Sequence, residues 1–391
     1  MLDYHTAGES HGPALVITIV GVPAGLAIDE AFINAQLARR QSGYGRGGRM
    51  GIEEDKVEAL AGVRRGVATG APIVFAIRNK DSRLDDAKKT PAIHRPRPGH
   101  ADFAGSIKWL TTDCRDTLER ASARETASRV AAGAVARLLL REFGIETFSI
   151  TRAIGGAITD ATVTEDSWRS LLALRDASDT ACPDADATQR QIALIREAKL
   201  SKDTIGGIVE AHAFGCPPGL GSCTDWRDKL DARIAYAAMG IQAIKGVEIG
   251  MGFGVATRPG SQVHDPLRYD PAKRATHHAL GFTRDTNNAG GTEGGMTNGE
   301  PIVVRGAMKP ISTLLRGMPS VDLNTKEPQH SQYERSDICA VPAAGVVLEH
   351  VVAFEVARAF RAKFAGDSMV ETRAQFDAFM RLARSLPPET P

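Results

Sequence analysis

Apolar and branched residues fill Ala14–Val20 and predict a strand. Asp29 reads as a helix N-cap, and Phe32, Ile33 and Leu37 form an apolar stripe that carries the helix to Arg39 or Arg40. Val57–Val63 and Pro72–Arg78 read as two strands of a hairpin, joined by the Gly-containing turn around Gly66. Ser122–Leu140 is rich in Ala, Val and Leu and predicts a buried helix with close-packing small faces. Glu165–Leu174 and Asp186–Ala198 read as peripheral helices, within a stretch, 162–203, that looks like an insertion. Ile205–Ala213 predicts a strand, Asp225–Ile244 a helix, Val247–Phe253 a short strand and Pro301–Gly306 another. Ala343–Lys363 and Glu371–Ser385 are C-terminal helices. Residues 79–103, with Pro91, Pro96 and Pro98, and residues 283–299 are long polar loops of the kind that carry function. Strands and helices are mixed, so the class is α/β or α+β.

The chain has 391 residues, 42% hydrophobic and 24% charged, which excludes a largely disordered chain. Its longest apolar run, Ala14–Val22, is half a membrane span and contains a Thr. The first fifteen residues hold no Lys or Arg, which argues against a secretory signal. Net charge is +1, from 48 basic and 47 acidic residues, so the basic excess of a nucleic-acid-coating protein is missing and any positive site is local. Five Cys, at 114, 182, 216, 223 and 339, form no C-x-x-C pair and point to a reducing cytosol.

Local positive sites exist. Arg39, Arg40, Arg46 and Arg49 put four cations and no acid in eleven residues, with glycines between them. Guanidinium forks and backbone N–H groups can converge there on one anion, although a solvated basic loop has the same composition. Gly43, Gly45 and Gly48 match G-x-G-x-x-G formally, but a helix precedes where the dinucleotide motif needs a strand. Arg95-Pro-Arg-Pro-Gly-His100 is a loop stiffened by two prolines, a means of aiming one imidazole for proton transfer. Gly8–Gly12 matches G-x-S-x-G around Ser10 and His11, yet no strand-then-helix context surrounds it, which argues against a hydrolase elbow. Asn287–Met296 packs four glycines into six residues, and Lys309, Ser312 and Thr313 offer a charge and two hydroxyls to a phosphate. Arg335 and Asp337 read as a local ion pair, and His277-His278 lacks the i, i+4 spacing of a helical metal pair, so no metal site is expected. These features describe an enzyme for a small polyanion, with a flavin or nucleotide cofactor left open. A phosphate-responsive binding protein is the competing class.

In order along the chain, Thr6–Gly12, Arg40–Arg49, Arg97–Asp102, Arg120–Thr126, Asn287–Gly295, Lys309–Thr313 and Arg335–Pro342 form a series that resembles the chorismate synthase family from Thr6 to about Glu349. The resemblance implies an α+β fold in one domain, 1–391, a β-α-β sandwich with a helical layer between two antiparallel sheets. It implies a cytoplasmic homotetramer with no nucleic-acid or membrane partner. The implied reaction is a 1,4-anti elimination in which 5-enolpyruvylshikimate 3-phosphate loses phosphate and a ring hydrogen to give chorismate, the last shared step toward the aromatic amino acids. Reduced FMN is the implied cofactor, with no net redox change, and NADPH is the reductant in members that reduce their own flavin.

By the same resemblance, His11 protonates departing phosphate and His100 sets the protonation of reduced flavin. Asp337 acts near flavin N5, and Ser10 and Ser122 relay protons. Arg120, Ala121, Ser122, Gln242, Ala243, Gly294, Lys309, Pro310, Ile311, Ser312, Thr313 and Arg335 contact FMN. Arg40, Arg46 and Arg49 hold substrate or NADP. Residues 120–124 are further expected to open the Ala-rich helix and bind the flavin phosphate at its N-terminus. Two positions depart from the family pattern: Ser336, where many relatives have His, and Lys309-Pro-Ile-Ser-Thr313, where some have Lys-Pro-Thr-Ser-Ser.

Overall fold

The computed structural model describes residues 1–47, 53–334 and 336–386, so Gly48, Arg49 and Arg335 lie outside the described residues. Strands β1 (Asp3–Ala7), β2 (Ala14–Val20), β3 (Val57–Ala61) and β4 (Ile73–Arg78) form a first antiparallel sheet in the order β1-β2-β4-β3. Strands β5 (Glu146–Ile154), β6 (Ala157–Ile158), β7 (Gly207–Phe214), β8 (Ile244–Ile249) and β9 (Ile302–Met308) form a second, in the order β8-β9-β7-β5-β6, again antiparallel throughout. The helices are α1 (Glu30–Gln41), α2 (Asp102–Lys108), α3 (Arg115–Ala121), α4 (Thr126–Arg141), α5 (Trp168–Ala177), α6 (Ala185–Leu200), α7 (Leu230–Met239), α8 (Val341–Lys363) and α9 (Met369–Arg384). α4 packs on β2 of the first sheet, α8 packs on β5 and β7 of the second, and α4 and α8 pack on each other. The fold is thus α+β, with a helical layer between two antiparallel sheets.

Sequence explains the layer. Leu15, Ile17 and Ile19 alternate on β2 and are buried against the helices. α4 and α8 have no wide polar face, and α8 is buried without a break from Val341 to Ala357. They meet at Gly133, where a Cβ would lie 2.3 Å from the His350 carbonyl oxygen. One buried charge cluster interrupts this apolar layer. Glu349, fully buried, takes Arg137 at 2.6 Å, Arg39 at 3.0 Å and the Ser149 hydroxyl at 2.8 Å.

Several expectations need correction. The Asp29 N-cap accepts from the Phe32 N–H as expected, but the Ala-rich helix begins at Thr126 rather than Ser122. Ser122 has an extended backbone and caps a single 3-10 turn, Ala123–Glu125, so Arg120 and Ala121 close α3 instead of opening α4. The helix expected over 225–244 is shorter: a 3-10 turn at 226–228 precedes α7, and Ile244 already pairs with Met308. The strand placed at Val247–Phe253 is β8, which ends at Ile249. β5 was missed because both its faces are buried. Phe148 and Ile150 pack with Trp168, while Ser149 reaches Glu349, so no exposed polar face marks the alternation. β1, α2 and α3 are too short for periodicity to reveal.

Candidate active site

A cavity of about 710 Å³ opens where the loop after β1, the end of α1, residues 83–101, α3, the turn after α7, the turn after β9 and the start of α8 converge. Among the described residues, six cationic side chains line it: Arg40, Arg46, Arg83, Arg97, Arg124 and Lys309. The carboxylates on its wall are Glu334 and Asp337. The lining also has an apolar part, with Ile241, Met308, Ile311 and, from α8, Ala343, Ala344 and Val347. The cavity is thus a local cationic cluster in a near-neutral chain. Volume and polarity suit a flat ring beside an anionic small molecule.

Both imidazoles expected to be catalytic lie on the cavity wall. His11 Nδ1 is 2.9 Å from Glu119 Oε1, and its backbone N–H donates to Glu119 Oε2 at 2.8 Å. On the other side Arg83 donates to His11 Nε2 at 3.2 Å, and Asp81 is 3.7 Å from that nitrogen. Because a guanidinium only donates, Nε2 accepts and Nδ1–H donates to Glu119. Burial pushes the Glu119 carboxyl up, but the hydrogen bonds and charge of His11, with Arg115, outweigh it and hold it below the usual range. His100 Nδ1 is 2.5 Å from Asp102 Oδ1. Asp102 is fully buried and also accepts from the Arg97 backbone N–H and Nε. Burial again opposes its charge, yet His100 and Arg97 hold it well below the carboxylate range.

The loops are tied to one another around these rings. Ser122 donates to Ser10 at 3.2 Å, which joins the two serines expected to act together. Asp337 pairs with Arg46 at 2.9 Å and accepts the Gly47 N–H at 2.6 Å. Its described partner is therefore Arg46, across the cavity rim, whereas the expected partner Arg335 lies outside the described residues. Arg97 donates to Thr313 Oγ1 at 3.0 Å, and Ser336 donates to the Thr313 carbonyl at 3.1 Å. Ser336 thus performs a tethering role that needs only a hydroxyl. Arg40 lines the cavity but is spent on structure: it donates to Thr126, to Asp55 and to the Ala123 carbonyl. Burial lowers its pKa to about 10, against the opposing pull of Asp55. Burial, with Lys245 nearby, also pushes the Lys309 ammonium down.

Of the expected cofactor contacts, Ala121, Ser122, Gln242, Ala243, Lys309, Ile311, Ser312 and Thr313 line the cavity. Arg120, Pro310 and Gly294 do not. Arg120 is exposed and donates to the Gly8 and Thr6 carbonyls. Pro310 is exposed. Gly294 sits in a tight hairpin, Thr292–Thr297, that rests on the start of α7 through the Leu230 N–H to Gly295 carbonyl bond. Arg49, like Arg335, lies outside the described residues. Residues 120–124 do not open α4 itself: Ser122 caps the 3-10 turn Ala123–Glu125 that leads directly into it. Sequence reading missed Arg83, Asp81, Glu119 and Tyr333 altogether. It quoted Arg97, Asp102 and Arg124 only as parts of motifs. Nothing in the polar run around residue 83 marks it, because only the fold brings it to His11.

Among the described residues, one His-carboxylate group has metal-ligand proximity: Glu165, His277 and His278, away from the cavity. Glu165 lies 3.7 Å from His277 Nε2 and 3.5 Å from His278 Nδ1. His277 Nδ1 accepts the Ala279 N–H at 3.2 Å, so in the neutral ring the nitrogen facing Glu165 carries the proton. The group serves as a clasp between the 162–203 insertion and the loop before β9.

Comparison with known proteins agrees with this geometry. A model of the chorismate synthase family matches residues 2–360. A chorismate synthase of Geobacter metallireducens is 51% identical over 98% of this chain and all of its own length. One of Geobacter sulfurreducens is 50% identical over 98% of this chain and again all of its own. A crystal structure of chorismate synthase superposes with a TM-score of 0.80 at 39% identity, covering 98% of this chain and 99% of the other. With the family model matched over most of its length, relatives about half identical end to end and a shared fold, the chain belongs to the chorismate synthase family.

Proposed function

We propose that the cavity performs the family's lyase reaction, the 1,4-anti elimination of phosphate from 5-enolpyruvylshikimate 3-phosphate to give chorismate. The observation that carries this reading is the convergence of six cations and two carboxylate-anchored imidazoles on one cavity with an apolar wall. The substrate has two carboxylates and a phosphate, and desolvating it requires several guanidinium partners. Arg46, Arg83 and Lys309 are suited to that duty, with Arg49 and Arg335 as further family positions. Arg40, Arg97 and Arg124 are held by fully buried carboxylates and shape the pocket, whereas Arg46 and Arg83 pair with the partly exposed Asp337 and Asp81.

The residues present fit a flavin. Gln242 Oε1 is buried on the cavity wall with no hydrogen-bond partner among the described residues, an acceptor suited to a ring N–H. Ala121, Ser122, Ala243, Lys309, Ile311, Ser312 and Thr313 surround the same space and would hold FMN, with Arg335 as a family position. Reduced FMN supplies electron density that eases loss of the allylic phosphate without net redox change. In this reading substrate takes the Arg83 hydrogen bond away from His11 Nε2, that nitrogen takes up a proton from solvent, and His11 then gives it to the departing phosphate. His100 keeps its Nε2 for the cofactor, Asp337 is held by Arg46, and Ser10 and Ser122 pass protons along their hydrogen bond. Where NADPH is the reductant, Arg40 and Arg46 are the family positions that would hold it.

The reading takes the whole chain as one catalytic unit. An exposed apolar patch on and after α2, made of Phe103, Ile107, Trp109 and Leu110, supports self-association into a homotetramer. Five free thiols, four of them buried, support a cytoplasmic setting. An anaerobic assay with FMN, dithionite and substrate tests the function. Equal amounts of chorismate and phosphate, only with reduced flavin, are expected. Phosphate without chorismate, or neither product despite bound ligands, would overturn it. NADPH in place of dithionite tests the reductase activity.

A further inference from the structure

The two imidazoles of the cavity come from unrelated loops, yet they are held in the same way. His11 Nδ1 and His100 Nδ1 each meet a carboxylate with a fully buried side chain, Glu119 or Asp102. Neither carboxylate lines the cavity. Each is anchored in turn by an arginine: Arg115, one helical turn away, lies 3.5 Å from Glu119, and Arg97 lies 2.8 Å from Asp102. Both carboxylates also accept a backbone N–H, from His11 and from Arg97. The resemblance to relatives accounts for the histidines and for neither partner's role.

The carriers of these carboxylates form one unit. Asp102 opens α2 and Glu119 lies in the last turn of α3. The two helices touch at Gly105, where a Cβ would fall 2.2 Å from the Thr117 side chain, so no larger residue fits between them. The Cys114 N–H bond to the Ile93 carbonyl and the Arg115 bonds to the Pro91 carbonyl then tie this pair to the proline loop. Two loop histidines are thereby referenced to one rigid helix pair.

We propose that Glu119 and Asp102 are positioning residues for the reaction: they fix His11 and His100 as the Nδ1–H forms, keep Nε2 for the cavity, and stabilise each ring when it carries two protons. A buried carboxylate on Nδ1 orients the ring and favours the imidazolium through its charge. Among the described residues, the groups facing His11 are Glu119, Arg83 and Asp81, and those facing His100 are Asp102 and Arg97, with Lys309 beside Gly99. This inference rests on the proposed function for its purpose. Its test does not, because it reads the rings themselves.

The test is hydrogen–deuterium exchange at imidazole C2, followed histidine by histidine by mass spectrometry across pH, in the parent, Glu119→Gln and Asp102→Asn proteins. Both substitutions keep shape and remove charge. In Glu119→Gln the exchange midpoint of His11 is expected to fall by about one pH unit or more while that of His100 holds. In Asp102→Asn the pattern is reversed. Fully buried His350 reports folding within the same experiment, since it exchanges quickly only if the protein opens. If Glu119→Gln opens, Asp102→Asn carries the test alone. An unchanged midpoint at the partnered histidine in a folded variant, or equal shifts at both histidines, overturns the proposal. If the midpoints move as expected but the parent makes no chorismate, the proposed function fails and the positioning stands.

Discussion

Replacing Gly133 with Ala tests the packing that holds the cavity's apolar wall in place. In an ordinary helix the change is favourable by about 1 kcal/mol, because Ala loses less backbone entropy. Here the added Cβ meets the His350 carbonyl oxygen at 2.3 Å and its carbonyl carbon at 2.7 Å. These are backbone atoms, and α8 cannot retreat freely because β5 and β7 pack behind it. An ordinary C···O contact is about 3.3 Å, so α4 and α8 must part by roughly 1 Å. Overpacking of this kind costs about 1–3 kcal/mol, and a backbone obstacle places it at the upper end. The net expectation is a loss of about 1–2 kcal/mol. Ala343, Ala344 and Val347 of α8 line the cavity, so the displacement should also raise the substrate KM. Urea unfolding followed by circular dichroism at one protein concentration gives the first quantity and steady-state kinetics the second. Gly156→Ala, where nothing lies within 4 Å of the new Cβ, is the control and should stay within about 0.5 kcal/mol of the parent. A Gly133→Ala protein as stable as the parent would refute the reasoning.

Three other expectations follow from the site and the core. His100→Ala should keep the fold and FMN binding but lower turnover by roughly two orders of magnitude, measured in the anaerobic assay, and near-parental turnover would remove His100 from the chemistry. Arg83→Ala removes a cation from beside His11 and should raise the substrate KM about tenfold or more with little change in FMN affinity, whereas the opposite split would move Arg83 to the flavin side. Burial pushes Glu349 up, but Arg137, Arg39 and Arg175 hold its carboxyl well below the usual range. A depressed carboxylate contributes stability that is present above the unfolded value, about pH 4, and lost as pH falls through the folded one. Glu349→Gln should therefore lose about 3–5 kcal/mol at neutral pH and show a shallower acid limb, read from urea midpoints between pH 7 and pH 3. An acid limb as steep as the parent's would count against the cluster.

The sequence by itself determined the elements whose information is local. Asp29 caps α1 through its own side chain, β2 shows its buried face at every second position, and α4 and α8 declare burial by lacking a polar face. The ordered motifs also identified the family, because each contributes a chemical group that survives in the chain whatever surrounds it. Tertiary structure decided the rest. β5 looks featureless until its two faces are seen buried against different partners. Arg40, an apparent anion ligand, proves to be satisfied by Asp55 and Thr126, and Arg83, one charge in a charged run, turns out to face His11. Glu119 and Asp102 acquire meaning only when α2 and α3 close on each other at Gly105. The physical reason is the same in each case. A propensity or a cap is settled within a few residues, whereas the state of a charge depends on which partners the fold places within about 4 Å, and those partners are more than a hundred residues away for His11 and Glu119.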